Sequence, residues 1–113
     1  MIAMLLALAG ATPAATPARA VALAQQAMKS IDPTTPIVCL AFDPEKSTPT
    51  RIDLVVREVH DYKCGGEDDV EVVREHFRVA RKPVGISRLD PKSGRYLACT
   101  LAKNSVTCPA PVR

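Results

Sequence analysis

Four cysteines, Cys39, Cys64, Cys99 and Cys108, all lie downstream of an unbroken small and apolar run at the start of the chain, Met1 to Ala11, MIAMLLALAGA. No other feature narrows the possible folds as much. A run of that length suits the apolar centre of a signal peptide and is too short for a bilayer, which needs roughly 20 apolar residues. An even cysteine count behind such a leader predicts a disulfide framework, because exported chains meet an oxidising compartment. The chain has 113 residues, enough for one domain. Once shortened by a leader its core alone gives modest stability, so covalent bracing is expected.

Residues 1–11 are therefore read as a signal peptide, with Ala9, Gly10 and Ala11 as a small-x-small cleavage site and residues 12–113 as a single small domain. Cuts as late as Ala24 have similar small-residue sites, at Ala18 to Ala20 and Ala22 to Ala24, and would leave an almost all-β product. No basic n-region precedes the run, and no cysteine follows it closely enough for lipidation. The expected product is periplasmic or secreted, with no membrane anchor after processing.

Beyond the leader, Thr16 and Pro17 form a helix start, a hydroxyl N-cap followed by proline at the first helical position. Val21, Ala24, Met28 and Ile31 fall on one stripe at helical spacing, and Asp32 with Pro33 ends the segment. Pro36 to Phe42, PIVCLAF, reads as a buried strand, and Asp43 to Thr50, DPEKSTPT, as turn chemistry throughout. Arg51 to His60 is a strand with Ile52, Leu54 and Val56 on one side, antiparallel to the first. Asp61 to Asp69 is a loop in which Gly65 and Gly66 allow positive φ. The stretch Asp69 to His76 fits helix or strand, and HFRVAR (76–81) is assigned to a strand because it is short and soon stopped by Pro83.

Val84 to Leu89 follows as a strand and Asp90 to Gly94, DPKSG, as a turn. Tyr96 to Ala102 and Ser105 to Cys108 then form a hairpin around Lys103 and Asn104. Counting outward from its turn pairs Leu101 with Val106, Thr100 with Thr107 and Cys99 with Cys108, the last at a non-hydrogen-bonded site where Cα atoms lie closest. Of the three connectivities open to four cysteines, this register selects Cys99 with Cys108 and leaves Cys39 with Cys64. The tail from Pro109 is expected to fray. The fold class is α+β: one N-terminal helix packed on an antiparallel sheet of four to six strands, braced by disulfides.

Composition narrows function by exclusion. The 15 Lys and Arg are interspersed with 12 Asp and Glu, and Tyr62, Tyr96, Phe42 and Phe77 are the whole aromatic complement, so neither a basic stripe nor a stacking platform for nucleic acid is present. No phosphate loop, nucleophile elbow or paired-His helix turn occurs, and no cofactor is implied. His60, Cys64 and His76, with Asp61 or Asp68 nearby, form the one constellation that a metal-binding or redox protein would use, and their spacing matches no closed zinc pattern. Cys64 with a His base would be a nucleophile only if unpaired. A structural envelope protein is a further alternative.

Two resemblances add to this. The helix followed by a meander, in which HFRVAR leads into a second strand and the DPKSG turn, resembles small PepSY-like periplasmic domains. That likeness implies a modulator of envelope peptidases with no catalytic residues of its own, although Arg81, Lys82 and Pro83 replace the usual Asp and Gly connection. Ser93, Gly94, Arg95 and Tyr96 resemble the Ser-Gly-x-Tyr loop of periplasmic lysozyme inhibitors. That loop enters the lysozyme cleft, where a hydroxyl and a phenol suit the two catalytic carboxylates of a glycosidase. Together they imply a non-enzymatic binding protein of the cell envelope whose partner is another envelope protein, with Ser93 to Tyr96 and the Cys64 loop as contacts.

Overall fold

Helix α1 (Pro17–Ile31) begins where the capping residues place it. The Thr16 hydroxyl accepts the Arg19 N–H at 3.2 Å, and Pro17 occupies a position whose N–H has no intrahelical partner to lose. At the far end the Asp32 N–H donates to Met28 O at 2.8 Å, and the Asp32 carboxylate accepts the hydroxyls of Thr34 and Thr35, turning the chain away. The structure is a computed structural model that describes residues 13–110, so the leader assigned to residues 1–11 and the last three residues of the tail lie outside the described residues.

The buried face of α1 carries Ala20, Leu23, Ala24, Ala27 and Met28, a turn of the stripe relative to the expected one, with Val21 and Ile31 at its margins. Three alanines let the helix backbone come close to the sheet, while Leu23 and Met28 fill the space between them. Opposite lie Ile52, Leu54 and Val56 of β2 (Arg51–Glu58), Phe77 and Val79 of β3 (Val73–Arg81) and Ile86 of β4 (Val84–Asp90), all buried. Removing each of these large side chains from water contributes about 1.5 to 3 kcal/mol.

With β1 (Leu40–Ser47) and β5 (Arg95–Ala98) these strands form one antiparallel meander in the order β1-β2-β3-β4-β5. A separate ribbon of β6 (Thr100–Leu101) and β7 (Val106–Thr107) folds back so that Val106 enters the core. The described residues thus form an α+β fold, one helix on a five-stranded antiparallel sheet plus a two-stranded ribbon. Two disulfides brace it, Cys39–Cys64 and Cys99–Cys108, and the 4.2 Å Cα separation of the second fits the non-hydrogen-bonded pair that the hairpin register predicts. No helix among the described residues is long and apolar enough to cross a membrane.

Three local expectations are corrected. Ile37–Cys39 forms a 3-10 turn, with the Cys39 N–H donating to Pro36 O at 3.0 Å, and the strand starts only at Leu40. It then continues through Asp43–Ser47, which the sequence suggested was turn. An edge strand needs ladder partners on one side only, so Pro44 and its charged neighbours are tolerated, with a register irregularity between Pro44 and Lys46. The actual turn is Thr48 to Thr50, held by the Thr48 hydroxyl accepting the Arg51 N–H at 3.1 Å. Last, the strand expected over Tyr96 to Ala102 breaks at Cys99, whose N–H donates to Ile86 O at 2.9 Å before the chain joins β7.

The ambiguous stretch before His76 is strand from Val73 onward. Pro109, expected to fray, is held through its carbonyl by Arg88 at 3.3 Å. Antiparallel pairing sets the β2–β3 connection, the β4–β5 turn and the start of β1 at one end of the sheet, and the Arg74–Asp32 ion pair brings the C-terminal end of α1 there too.

Candidate functional site

The β4–β5 turn is organised by a single buried carboxylate. Asp90 is 1% exposed; its side chain accepts the Lys92 N–H at 3.2 Å and the Ser93 hydroxyl at 2.6 Å, and its carbonyl accepts the Gly94 N–H at 2.8 Å. The reversal is completed by Gly94 at φ 74°, left-handed backbone that a side chain would strain. The Arg95 N–H returns to the Ser93 hydroxyl at 3.3 Å. Lys92, Ser93, Gly94 and Arg95 are left exposed at the tip.

Tyr96 behaves differently from the other three residues of the motif. Opposite Leu89 in the ladder, it is half-buried on the sheet face away from α1, with the Arg78 guanidinium 4.1 Å from its ring centroid. Arg78 is fixed in turn by Asp53, whose Oδ1 accepts from Nε at 2.9 Å and raises the Arg78 pKa. A chain of contacts from Asp53 through Arg78 to Tyr96 therefore orients the phenol. Asp53 carries no motif in the sequence, and although Arg78 lies in HFRVAR and Asp90 opens DPKSG, neither pattern assigns them this role.

The second candidate lies at the same end of the sheet, a groove of about 260 Å³ that includes Thr35, Glu58, His60, Cys64, Gly66 and Arg74 in its lining. His60 sits just past β2, its Nε2 2.8 Å from Glu58 Oε1 and its Nδ1 2.8 Å from Glu67 O. With an acceptor at each nitrogen the ring favours the doubly protonated form. Its pKa is raised, first by Glu58 and then by the Glu67 carbonyl, while the hydrogen bond from His60 lowers that of Glu58. Arg74 pairs with Asp32 at 2.6 Å and Glu58 at 3.3 Å, and the Thr35 hydroxyl, Arg74 and Thr34 hold the Asp32 carboxyl far below the usual carboxylate range. Each charge in the groove is answered inside it.

This arrangement latches the loop to the end of β2. Cys64 is bonded to Cys39 and has no thiolate to give. His76 lies opposite Val55 on β3 and lines a different depression with Leu89 and Pro91, so it does not converge with His60. The alternative constellation of His60, Cys64 and His76 is thus not assembled, and among the described residues no group of three or more His, Cys, Asp or Glu is placed to hold a metal ion.

Two predictions concern the latch. Gly66 has φ 84°, and a Cβ there would sit 2.6 Å from His60 Cδ2, so Gly66→Ala must displace the ring as well as strain the backbone. The expected loss is about 1 to 3 kcal/mol in urea unfolding, with Gly65→Ala, which meets nothing within 4 Å, paying the backbone cost alone. For His60, a raised folded pKa means that its contribution is complete below about 6.5, the ordinary histidine value, and is lost as pH rises through the folded value. The urea midpoint is expected to fall over that window, and His60→Gln to remove this part of the pH dependence.

Comparison with known proteins gives no matching family model, no matching curated protein and no matching solved structure.

Proposed function

We propose that the chain is an exported, non-catalytic binding protein of the cell envelope that inhibits or modulates a hydrolase through the Ser93–Tyr96 turn. The observation that carries this reading is the preorganisation of that turn. Asp90 holds the backbone from below, and Arg78 with Asp53 holds the aromatic ring, so little freedom remains to be lost on binding. The Ser93 O–H is spent on Asp90 and fixes the turn, while the exposed Lys92 and Arg95 on either side of the Ser93–Gly94 pair supply two cations that suit the acidic cleft of a glycosidase such as lysozyme. The paired cysteines support an oxidising, periplasmic or secreted location. The helix followed by a meander, the basis of the PepSY-like resemblance, would direct the same surface toward an envelope peptidase.

A lysozyme inhibition assay tests the sharper version. Wild-type protein is expected to inhibit, Tyr96→Ala to weaken inhibition at least about ten-fold by removing an interface anchor, and Ser93→Ala to weaken it by about as much by releasing the turn from Asp90. Absence of inhibition by folded wild-type protein removes lysozyme as the target.

A further inference from the structure

We infer that the tip of the domain formed by the 3-10 turn and the 61–71 loop is a separate docking surface, shaped for a basic amphipathic segment of a partner protein. Among the described residues the large apolar side chains left in water are Val38 at 83% exposure, Tyr62 at 91%, Val70 and Val73 at 45% each, and Leu101 at 39%. All but Leu101 belong to this one end of the sheet. The Cys39–Cys64 bond, with Cα atoms 5.5 Å apart, brings together the segments that carry Val38 and Tyr62. Val70 and Val73 stand on the return of the same loop into β3. A lone exposed valine or tyrosine would be ordinary; the gathering of four exposed apolar side chains at one end of the sheet, two of them on segments joined by a disulfide, is what points to a contact surface.

Flexibility does not account for this exposure, because the loop is anchored along its length. Val59 N–H donates to Cys39 O at 2.8 Å, Gly65 N–H to Asp61 O at 2.8 Å, Asp61 Oδ1 accepts the Lys63 and Cys64 N–H groups at 2.9 and 2.8 Å, and His60 bonds Glu67 O. Charge identifies the occupant. Asp61, Glu67, Asp68, Asp69 and Glu71 are all exposed, Arg57 answers Glu71, and the one cation in the loop, Lys63, lies 5.7 Å from the Tyr62 ring centroid. Glu67, Asp68 and Asp69 make no ion pair among the described residues, so the apolar side chains sit within an acidic rim. Apolar residues flanked by lysine or arginine complement such a surface. The sign is opposite to that of the Lys92 and Arg95 turn, so the inference stands without the hydrolase reading.

The test is a titration of the full chain, labelled with 15N, by an amphipathic peptide of lysine and leucine at physiological salt, with a glutamate and leucine peptide as the control. Shift changes are expected at Val38, Tyr62, Val70 and Val73, with weak or no binding of the acidic peptide. Val38→Ser combined with Tyr62→Ser, both highly exposed and outside the core, should weaken binding about ten-fold or more, and Asp68→Asn with Asp69→Asn should weaken it and flatten its salt dependence. The inference is overturned if the basic peptide does not bind, if the shifts map elsewhere, if the acidic peptide binds equally, or if Val38→Ser with Tyr62→Ser leaves affinity unchanged. Loss of lysozyme inhibition in Tyr96→Ala with unaltered peptide binding separates the two surfaces.

Discussion

Replacing Phe77 by alanine is expected to cost about 3 to 5 kcal/mol, the largest effect of any single substitution in this chain. Phe77 sits at the middle of the central strand with no exposed surface, between Leu54 on β2 and Arg88 on β4, and among the described residues it is the only aromatic side chain of the buried core. The helix above it presents three alanines beside Leu23 and Met28, so the space could be refilled only by drawing side chains out of packing they already make. A small domain holds about 5 to 15 kcal/mol in total, so the variant is expected to retain little margin at 37 °C. Phe77→Leu, which keeps most of the volume, should cost clearly less, and urea unfolding of the two variants checks the difference. Equal losses would mean that edge contacts of the ring, rather than filled space, set its importance.

Removal of the Cys39–Cys64 bond by a double change to alanine comes next. The bond closes a loop with a sequence separation of 25, for which the chain-entropy estimate gives about 3.5 kcal/mol, against about 2.6 kcal/mol for Cys99–Cys108 with its separation of 9. For a domain of this size the first figure corresponds to a fall in Tm of roughly 14 to 28 °C. The sheet register from Ile52 to Arg88 does not depend on this bond, so far-UV circular dichroism of the folded variant should be preserved while the 61–69 loop gains susceptibility to protease. A loss under about 1 kcal/mol would show that the Glu58–His60–Glu67 latch positions the loop without help.

Where the sequence was readable, short-range rules decided the outcome. Thr16 and Pro17 set the helix start, Gly65 and Gly66 take the positive φ assigned to them, and the hairpin register gave both disulfide pairings. Where it misled, neighbours distant in the chain decided. Asp43 to Ser47 is as polar as any turn, but β2 offers it a ladder and the sheet asks nothing of its other side. The break at Cys99 follows from an acceptor on β4, which no local pattern announces. The candidate site divides in the same way: the Ser93 to Tyr96 turn was visible as a motif, whereas the buried state of Asp90 and the stacking of Arg78 on Tyr96 arise only when strands far apart in sequence lie side by side.

The irregular outer strand has a further consequence. Its free rim interrupts any flat row of donors and acceptors, since Pro44 has no N–H, Glu45 falls outside the ladder, and Asp43 and Lys46 place opposite charges along the same short length. A second molecule would find no continuous template there for intermolecular strand addition, so the protein is guarded against fibrillar self-association at the one long edge its meander leaves open.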